Sequence, residues 1–352
     1  MLTAIALSQF ALADDVHKLK VSGRIQGRYE YEMLKDVEDS AESAFTVPRA
    51  RLKASGHAFS ENYTYGLQID FGKGQVSLKD AKISLAADNG VQLTMGQFKK
   101  PFARQQLTSS GSQAFVDRLI TDKAFGNGRD VGMQLHNGMG KATGFTWAAG
   151  IFNGSGDKGL YEGDVVVDLT TGEGEIVSAK QTNVPDNVAP LVVARAEWST
   201  DGKHYKDVDF AGDDLRFAVG ANTQASMAED AGFTKHGVDA SVKVSGVHVT
   251  GGFYYATSQT GEAFGDQEGS LMGYYGKGSY VIADQFAPAL GAAMVDDVTG
   301  TEQDVEMMVG FGWFPHKHKL KWQTDVAQVA NYGIPGTDEE ALRIRTQVQM
   351  IF

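Results

Sequence analysis

Six cations crowd into residues 99–129: Lys99, Lys100, Arg104, Arg118, Lys123 and Arg129 face only two carboxylates, Asp117 and Asp122. The segment carries a net charge of +4 in a 352-residue chain whose formal net charge is −12. Guanidinium and ammonium groups at this density, with the hydroxyls of Thr108, Ser109 and Ser110 among them, offer reversible binding of small anions. A second set of cations sits at alternate positions of extended stretches: Arg24 and Arg28; Arg49, Arg51 and Lys53; Arg343 and Arg345.

Other chemistries find less support. His316 and His318 in "PHKHK" are two residues apart, but two ligands with no carboxylate beside them do not make a zinc site. Ser and His occur in "TSSGS" and "DAGFTKHGVD" without the strand-to-helix elbow that exposes a hydrolase nucleophile, so no catalytic residues are expected. The acidic stretches "DVEDSAE" and "GDVVVDLTTGEGE" lack the glycine and terminal glutamate of a Ca²⁺-binding loop. The chain contains no cysteine, which removes disulfides and thiolate metal sites, and its acidity excludes a general nucleic-acid binder. No metal or cofactor is expected.

The elements that must position the cations are strands. With 42 glycines but only 7 prolines, the composition suits many strands joined by tight turns. In "VSGRIQGRYEYE", Val21, Ile25, Tyr29 and Tyr31 share one face, and Arg24, Gln26, Arg28, Glu30 and Glu32 the other. In "RARLKASGHA", Ala50, Leu52, Ala54 and Ala58 oppose Arg49, Arg51, Lys53, Ser55 and His57. Alternation returns in 63–71, 76–86, 91–98, 130–137, 144–152, 190–198, 214–222, 236–244, 247–255, 270–281, 286–296, 303–313, 318–328 and 341–352, about sixteen strands in all. The faintest is 286–296, "FAPALGAAMVD", with a proline and little bulk. No apolar run outside the N-terminus reaches 18 residues, so a membrane-spanning version of this chain is a closed antiparallel β-barrel. A soluble sandwich is the alternative, but it would need a second apolar layer to cover so many oily faces.

"MLTAIALSQFALADD" ends an apolar run on a small-x-small site, Ala11-Leu12-Ala13, so residues 1–13 read as the remnant of a secretory signal peptide and 14–352 as a single barrel domain. Starting from the periplasm, every second connection is short ("SEN", "ADNG", "NGMGKA", "SG", "ADQ", "PHKHK"), except "TDGKHYKDVDFAGD". The others, 33–46, 153–188, 257–269, 297–304 and 331–341, are longer and acidic, as in outer-membrane barrels. The closing "ALRIRTQVQMIF" alternates to its last residue. Phe352 then reads as the last rung against the first strand and as an aromatic assembly signal at the periplasmic interface.

"FTVPRARLKASG", "YGLQIDF", "VSLKDAKISL", "MGQFKKPF", "LTSSGSQAFVDR" and "GRDVGMQL" occur in an order that resembles the phosphate-selective porin family, and "SYVIADQFAPALGAAMVDD", "HKLKWQTDVAQV" and "VQMIF" extend the likeness over nearly the whole chain. The resemblance implies a sixteen-stranded, homotrimeric anion channel of the bacterial outer membrane. It also implies that the loop after the fifth strand, 99–129, folds into the lumen as the constriction. Thr108, Ser109 and Ser110 match the family's Thr-Ser-Ser and Arg118 the arginine after it. One departure bears on solute: members that bind phosphate tightly carry a lysine two residues before that Thr-Ser-Ser, where this chain has Gln106. Arg104, two residues earlier, could reach the same space but presents a planar fork rather than a point charge.

With the last strand beside the first, and the first beside the second, Arg343, Arg345, Arg24, Arg28, Arg49, Arg51 and Lys53 would form one basic wall along which anions hop. Alternatively these cations pair with Glu30, Glu32 and Asp70 and merely brace the barrel. The expectation is an anion-preferring porin with Lys99, Lys100, Arg104, Ser109, Ser110, Arg118, Lys123 and Arg129 at its constriction. General anions are expected before phosphate, and the expected partners are small anionic solutes, outer-membrane lipid and lipopolysaccharide, the barrel-assembly machinery and two further copies of the chain. The rival function is a closed barrel with a structural or adhesion role.

Overall fold

The computed structural model describes residues 17–352 apart from 36, 39, 127, 140–141, 155, 157–159, 168–173, 183–189, 213, 227–231, 259–268, 298–302 and 331–339. The expected signal residues 1–13 lie outside the described residues. In chain order the strands are β1 (Lys18–Leu34), β2 (Glu42–Ala58), β3 (Ser60–Asp70), β4 (Ser77–Ala86), β5 (Gln92–Lys99), β6 (Arg129–His136), β7 (Gly144–Phe152), β8 (Leu160–Val167), β9 (Gly174–Thr182) and β10 (Leu191–Ser199). They continue as β11 (Arg216–Ser226), β12 (Phe233–Val244), β13 (Val247–Ser258), β14 (Gly269–Tyr280), β15 (Phe286–Asp297), β16 (Gln303–Trp313), β17 (Pro315–His318), β18 (Leu320–Ala330) and β19 (Glu340–Ile351). Two short helices, α1 (Arg104–Leu107) and α2 (Ile120–Phe125), lie between β5 and β6.

Sixteen of these strands pair antiparallel into one closed barrel, with β1 hydrogen-bonded to β2 on one side and β19 on the other. Closure leaves no unpaired edge, which lipid requires. The faint segment 286–296 is a full stave, β15, paired with β14 and β16. Three strands were not anticipated from sequence: β8 and β9 form a separate hairpin within the 153–188 connection, and the four-residue β17 falls in the short connection after β16.

Outward positions keep their oily side chains exposed, among them Val219, Val238, Leu290, Met307 and Val309. Among the described residues no second layer covers them, which removes the sandwich reading and leaves lipid as their solvent. Trp198, Phe217, Tyr280, Phe286 and Trp313 mark the rim with the short turns, as an interfacial aromatic girdle does. Phe352 sits at this rim, exposed, its backbone exchanging hydrogen bonds with Gly23 (2.7 and 3.0 Å). A Cβ at Gly23 would fall 2.5 Å from the Phe352 ring, so any other residue there would displace the ring.

Candidate functional site

The connection between β5 and β6 does not project from the rim; it crosses the lumen. Side chains of the far wall hold its backbone: Val116 N donates to Asp325 (2.7 Å), Ile120 N to Glu306 (2.7 Å), and the Gln349 amide donates to Gly111 O (2.9 Å). Lys321 and Gln323 of β18 donate to Gln113 O at 2.9 and 3.0 Å. The loop's aromatic rings need space on that wall, and small residues supply it. Phe125 lies over Gly273, and Phe115 over Gly291 and Gly310, where added Cβ atoms would approach the rings to 2.3, 3.1 and 2.7 Å. Phe125 stacks on Tyr254 (5.3 Å), and Tyr254 on Tyr275 (6.0 Å). The low bulk of "FAPALGAAMVD" follows from this: Ala287, Ala289 and Ala293 of β15 are buried, facing a filled lumen.

Two of the expected constriction cations serve as anchors. Arg104 donates to Asp239 (2.7 Å) and Glu197 (2.8 Å), and Arg195 of β10 shares both carboxylates (2.7 and 2.8 Å). Burial alone would disfavour the Arg104 charge, but the neighbouring Asp239 outweighs it and holds the guanidinium firmly protonated. Tyr205 O–H donates to the same Glu197 (2.6 Å). Lys100 is buried against Asp130 (3.3 Å). The structure therefore places Arg104 away from the space in front of Gln106, because its two acidic partners stand on the opposite wall. Lys123 is exposed on α2, also away from that space.

The remaining cations converge. Between the loop and the inner faces of β1–β6 lies a cavity of about 380 Å³ lined by Arg24, Arg49, Arg51, Lys53, Lys82, Lys99, Arg118 and Arg129, with Asp80 its one carboxylate and Gln106, Ser109 and Ser110 on its loop side. Register explains the ladder: Arg24 pairs with Arg51 and Gln26 with Arg49 across β1 and β2, so these guanidiniums project from neighbouring rungs of the same face. Arg51 is paired with Asp70 (2.7 Å), Arg129 with Asp80 (2.7 Å) and Arg49 with Asp117 (3.3 Å). Arg24, only 7% exposed, makes no ion pair among the described residues and donates to Ser110 Oγ (2.9 Å) and Ser109 Oγ (3.5 Å). Lys53 likewise shows no ion pair there.

The loop's own cations also shape it. Lys99 Nζ caps the end of α1 at the carbonyls of Gln106, Leu107 (3.3 Å) and Thr108 (3.4 Å), while Arg118 donates to Gln105 O (2.8 Å) and Thr108 O (2.9 Å). Partial burial would raise the pKa of Asp117, but Arg49 and Arg28 hold its carboxyl well below the usual range. Asp122 goes the other way, burial pushing it up against Arg118 and Lys99.

The rest of the expected basic wall braces the barrel. Arg28 pairs with Glu30 and Asp117 (both 3.2 Å), Arg343 with Glu32, and Arg345 with Asp325 (2.7 Å). Lys82 and Asp80 were missed from the sequence, although both share the inward phase of β4. Arg195, Glu197, Asp239 and Tyr205 were missed too, and nothing local marks them. His318 is buried against Phe314 (5.7 Å) while His316 is exposed, so the pair does not converge, and among the described residues no three His, Cys, Asp or Glu cluster as metal ligands.

A family profile described as phosphate-selective porin O and P matches residues 19–350. The chain belongs to that family. This porin is therefore a diffusion channel of the bacterial outer membrane. Its fold is shared with the anion-selective porin from Comamonas acidovorans (TM-score 0.63, 12% identity, 96% of this chain and 100% of the other). It is also shared with the outer membrane channel DcaP of Acinetobacter baumannii (0.60, 12%, 97% and 99%) and the trimer form of the outer membrane protein OmpT of Vibrio cholerae (0.59, 11%, 96% and 100%). No curated protein matches the chain significantly.

Proposed function

We propose that this porin prefers anions and that they pass along the β1–β6 side of the constriction loop. The observation that carries the reading is the cavity with eight cations and one carboxylate in its lining. Cations in a narrow water-filled path raise local anion concentration, and several weak sites in series let each ion leave. Arg24 and Lys53, which have no carboxylate partner among the described residues, are the strongest candidates to meet a passing anion, with Ser109 and Ser110 offering hydroxyls beside them. Gln106 faces this space without charge, so chloride and small organic or inorganic anions pass before any tight selection of phosphate. The anion-selective porin and the trimeric OmpT that share the fold favour a selective homotrimer. Residues 14–352 then form one barrel domain in outer-membrane lipid and lipopolysaccharide, placed there by the assembly machinery through Phe352. The chain acts by diffusion, with no catalytic step and no cofactor.

The test is the zero-current potential of reconstituted channels under a KCl gradient, expected to take the sign for chloride preference. A cation-selective pore would show that the acidic outer loops dominate, and an absence of conductance would favour a closed structural or adhesion barrel.

A further inference from the structure

The connection between β10 and β11 breaks the rule of its rim. Its neighbours are tight turns, yet residues 200–210 enter the barrel, where His204, Asp207, Val208 and Asp209 are each at most 3% exposed. The segment makes contacts across half the circumference. Lys243 of β12 donates to Lys203 O (2.9 Å), Ser241 of β12 lies 3.2 Å from His204 Nδ1, and Ser279 of β14 donates to Asp207 O (2.7 Å). At its far reach, the Phe210 ring packs against Phe314 (5.4 Å) and His318 (5.6 Å), beside β17. It also touches the constriction loop: Asp207 N donates to Ser112 O (2.8 Å), and the Arg104 guanidinium lies 5.0 Å from the Tyr205 ring centre.

We infer that residues 200–212 form a second, periplasmic constriction element, which closes the β10–β16 half of the lumen from below as the 99–129 loop closes it from above. Together they confine solutes to the β1–β6 side, so the segment sets the pore's size limit. Its charges are arranged to do this without opposing anions. Asp207 is paired with Lys277, Asp209 with Arg216 (2.7 Å) and Asp201 with the same Arg216 (3.7 Å), so each of the three carboxylates enters the lumen beside a cation. Deleting the segment would widen the pore and bare Lys243, Lys277 and Arg216, raising conductance with no loss of anion preference.

The inference builds on the channel reading, and its test separates the two. Residues 202–212 are replaced by a Gly-Ser turn, and heat-modifiable mobility in electrophoresis identifies folded barrels. Single-channel conductance is expected to rise at least twofold, the largest neutral sugar that permeates to grow, and the zero-current potential to keep its sign. Conductance and size limit equal to wild type overturn the inference, whereas a silent wild type would instead fail the channel reading. Should the deletion not fold, the absence of native cysteine allows Val208→Cys in the intact chain. Slow maleimide labelling beside a rapidly labelled Lys317→Cys supports the docked segment, and equally rapid labelling overturns it.

Discussion

The two halves of this lumen are built from opposite materials. Along β1–β6 the inner face carries Arg24, Arg49, Arg51, Lys53, Lys82 and Arg129 around an open cavity. Along β13–β16 it carries Tyr254, Tyr275, Gly273, Gly291, Gly310 and a run of alanines, pressed against Phe115 and Phe125 of the crossing loop. A barrel of sixteen staves is wide enough for an aqueous channel. Filling one half with aromatic rings on small residues narrows it, while the cations of the other half line the cavity that remains. The closed half gives the loop a fixed place; the open half gives the path its charge.

The largest effect should come from cutting the ion cluster that pins the closed half. Asp239→Ala leaves Arg104 and Arg195 buried with Glu197 as their one carboxylate partner. Removing one member of such a cluster costs about 3–5 kcal/mol, and the expected outcome is a much lower yield of heat-resistant folded barrel. A milder break is Gly310→Val, whose Cβ would sit 2.7 Å from the Phe115 ring. The loop must then shift toward the open half, and single-channel conductance should change measurably while the barrel still folds.

The open half can be sharpened instead. Gln106→Lys returns a point charge to the cavity, and phosphate should then block chloride current at roughly tenfold lower concentration, about 1.4 kcal/mol of added affinity. Arg104→Lys should leave that block unchanged, because Arg104 does not face the cavity.

The smallest effect concerns acid. Burial and the nearby Lys243 push His204 down to about 4, against the opposing pull of Asp201. A histidine with a depressed folded-state pKa binds fewer protons folded than unfolded, so docking of its segment is strongest above pH 6.5 and weakens as pH falls from 6.5 toward 4. Conductance of the wild type should therefore drift upward over that window, and His204→Gln should flatten the drift.

Much of the barrel was legible because alternation is a local property: Arg343 and Arg345 declare an inner face on their own. The β15 stave was nearly illegible for a reason that is now physical, since its inner positions had to be small to admit the loop. The basic loop could be read from charge, but the roles of its members could not. Arg104 looks like Arg118 in sequence, and only partners 93 and 135 residues away make it an anchor. Arg28, Arg343 and Arg345 followed the bracing alternative through Glu30, Glu32 and Asp325, whereas Arg24 did not. The 200–215 connection showed itself only as an unusual length. Its inward course depends on pairing with Lys277 and Ser279, which no local pattern announces.

The most direct test of the asymmetry is the zero-current potential under a KCl gradient for two charge deletions compared with wild type. Arg24→Ala combined with Lys53→Ala, on the open half, should move the potential substantially toward zero, while Lys123→Ala, which removes a cation of the same loop outside the cavity, should leave it where it was. Equal shifts from both, or none from either, would contradict a conducting path along β1–β6.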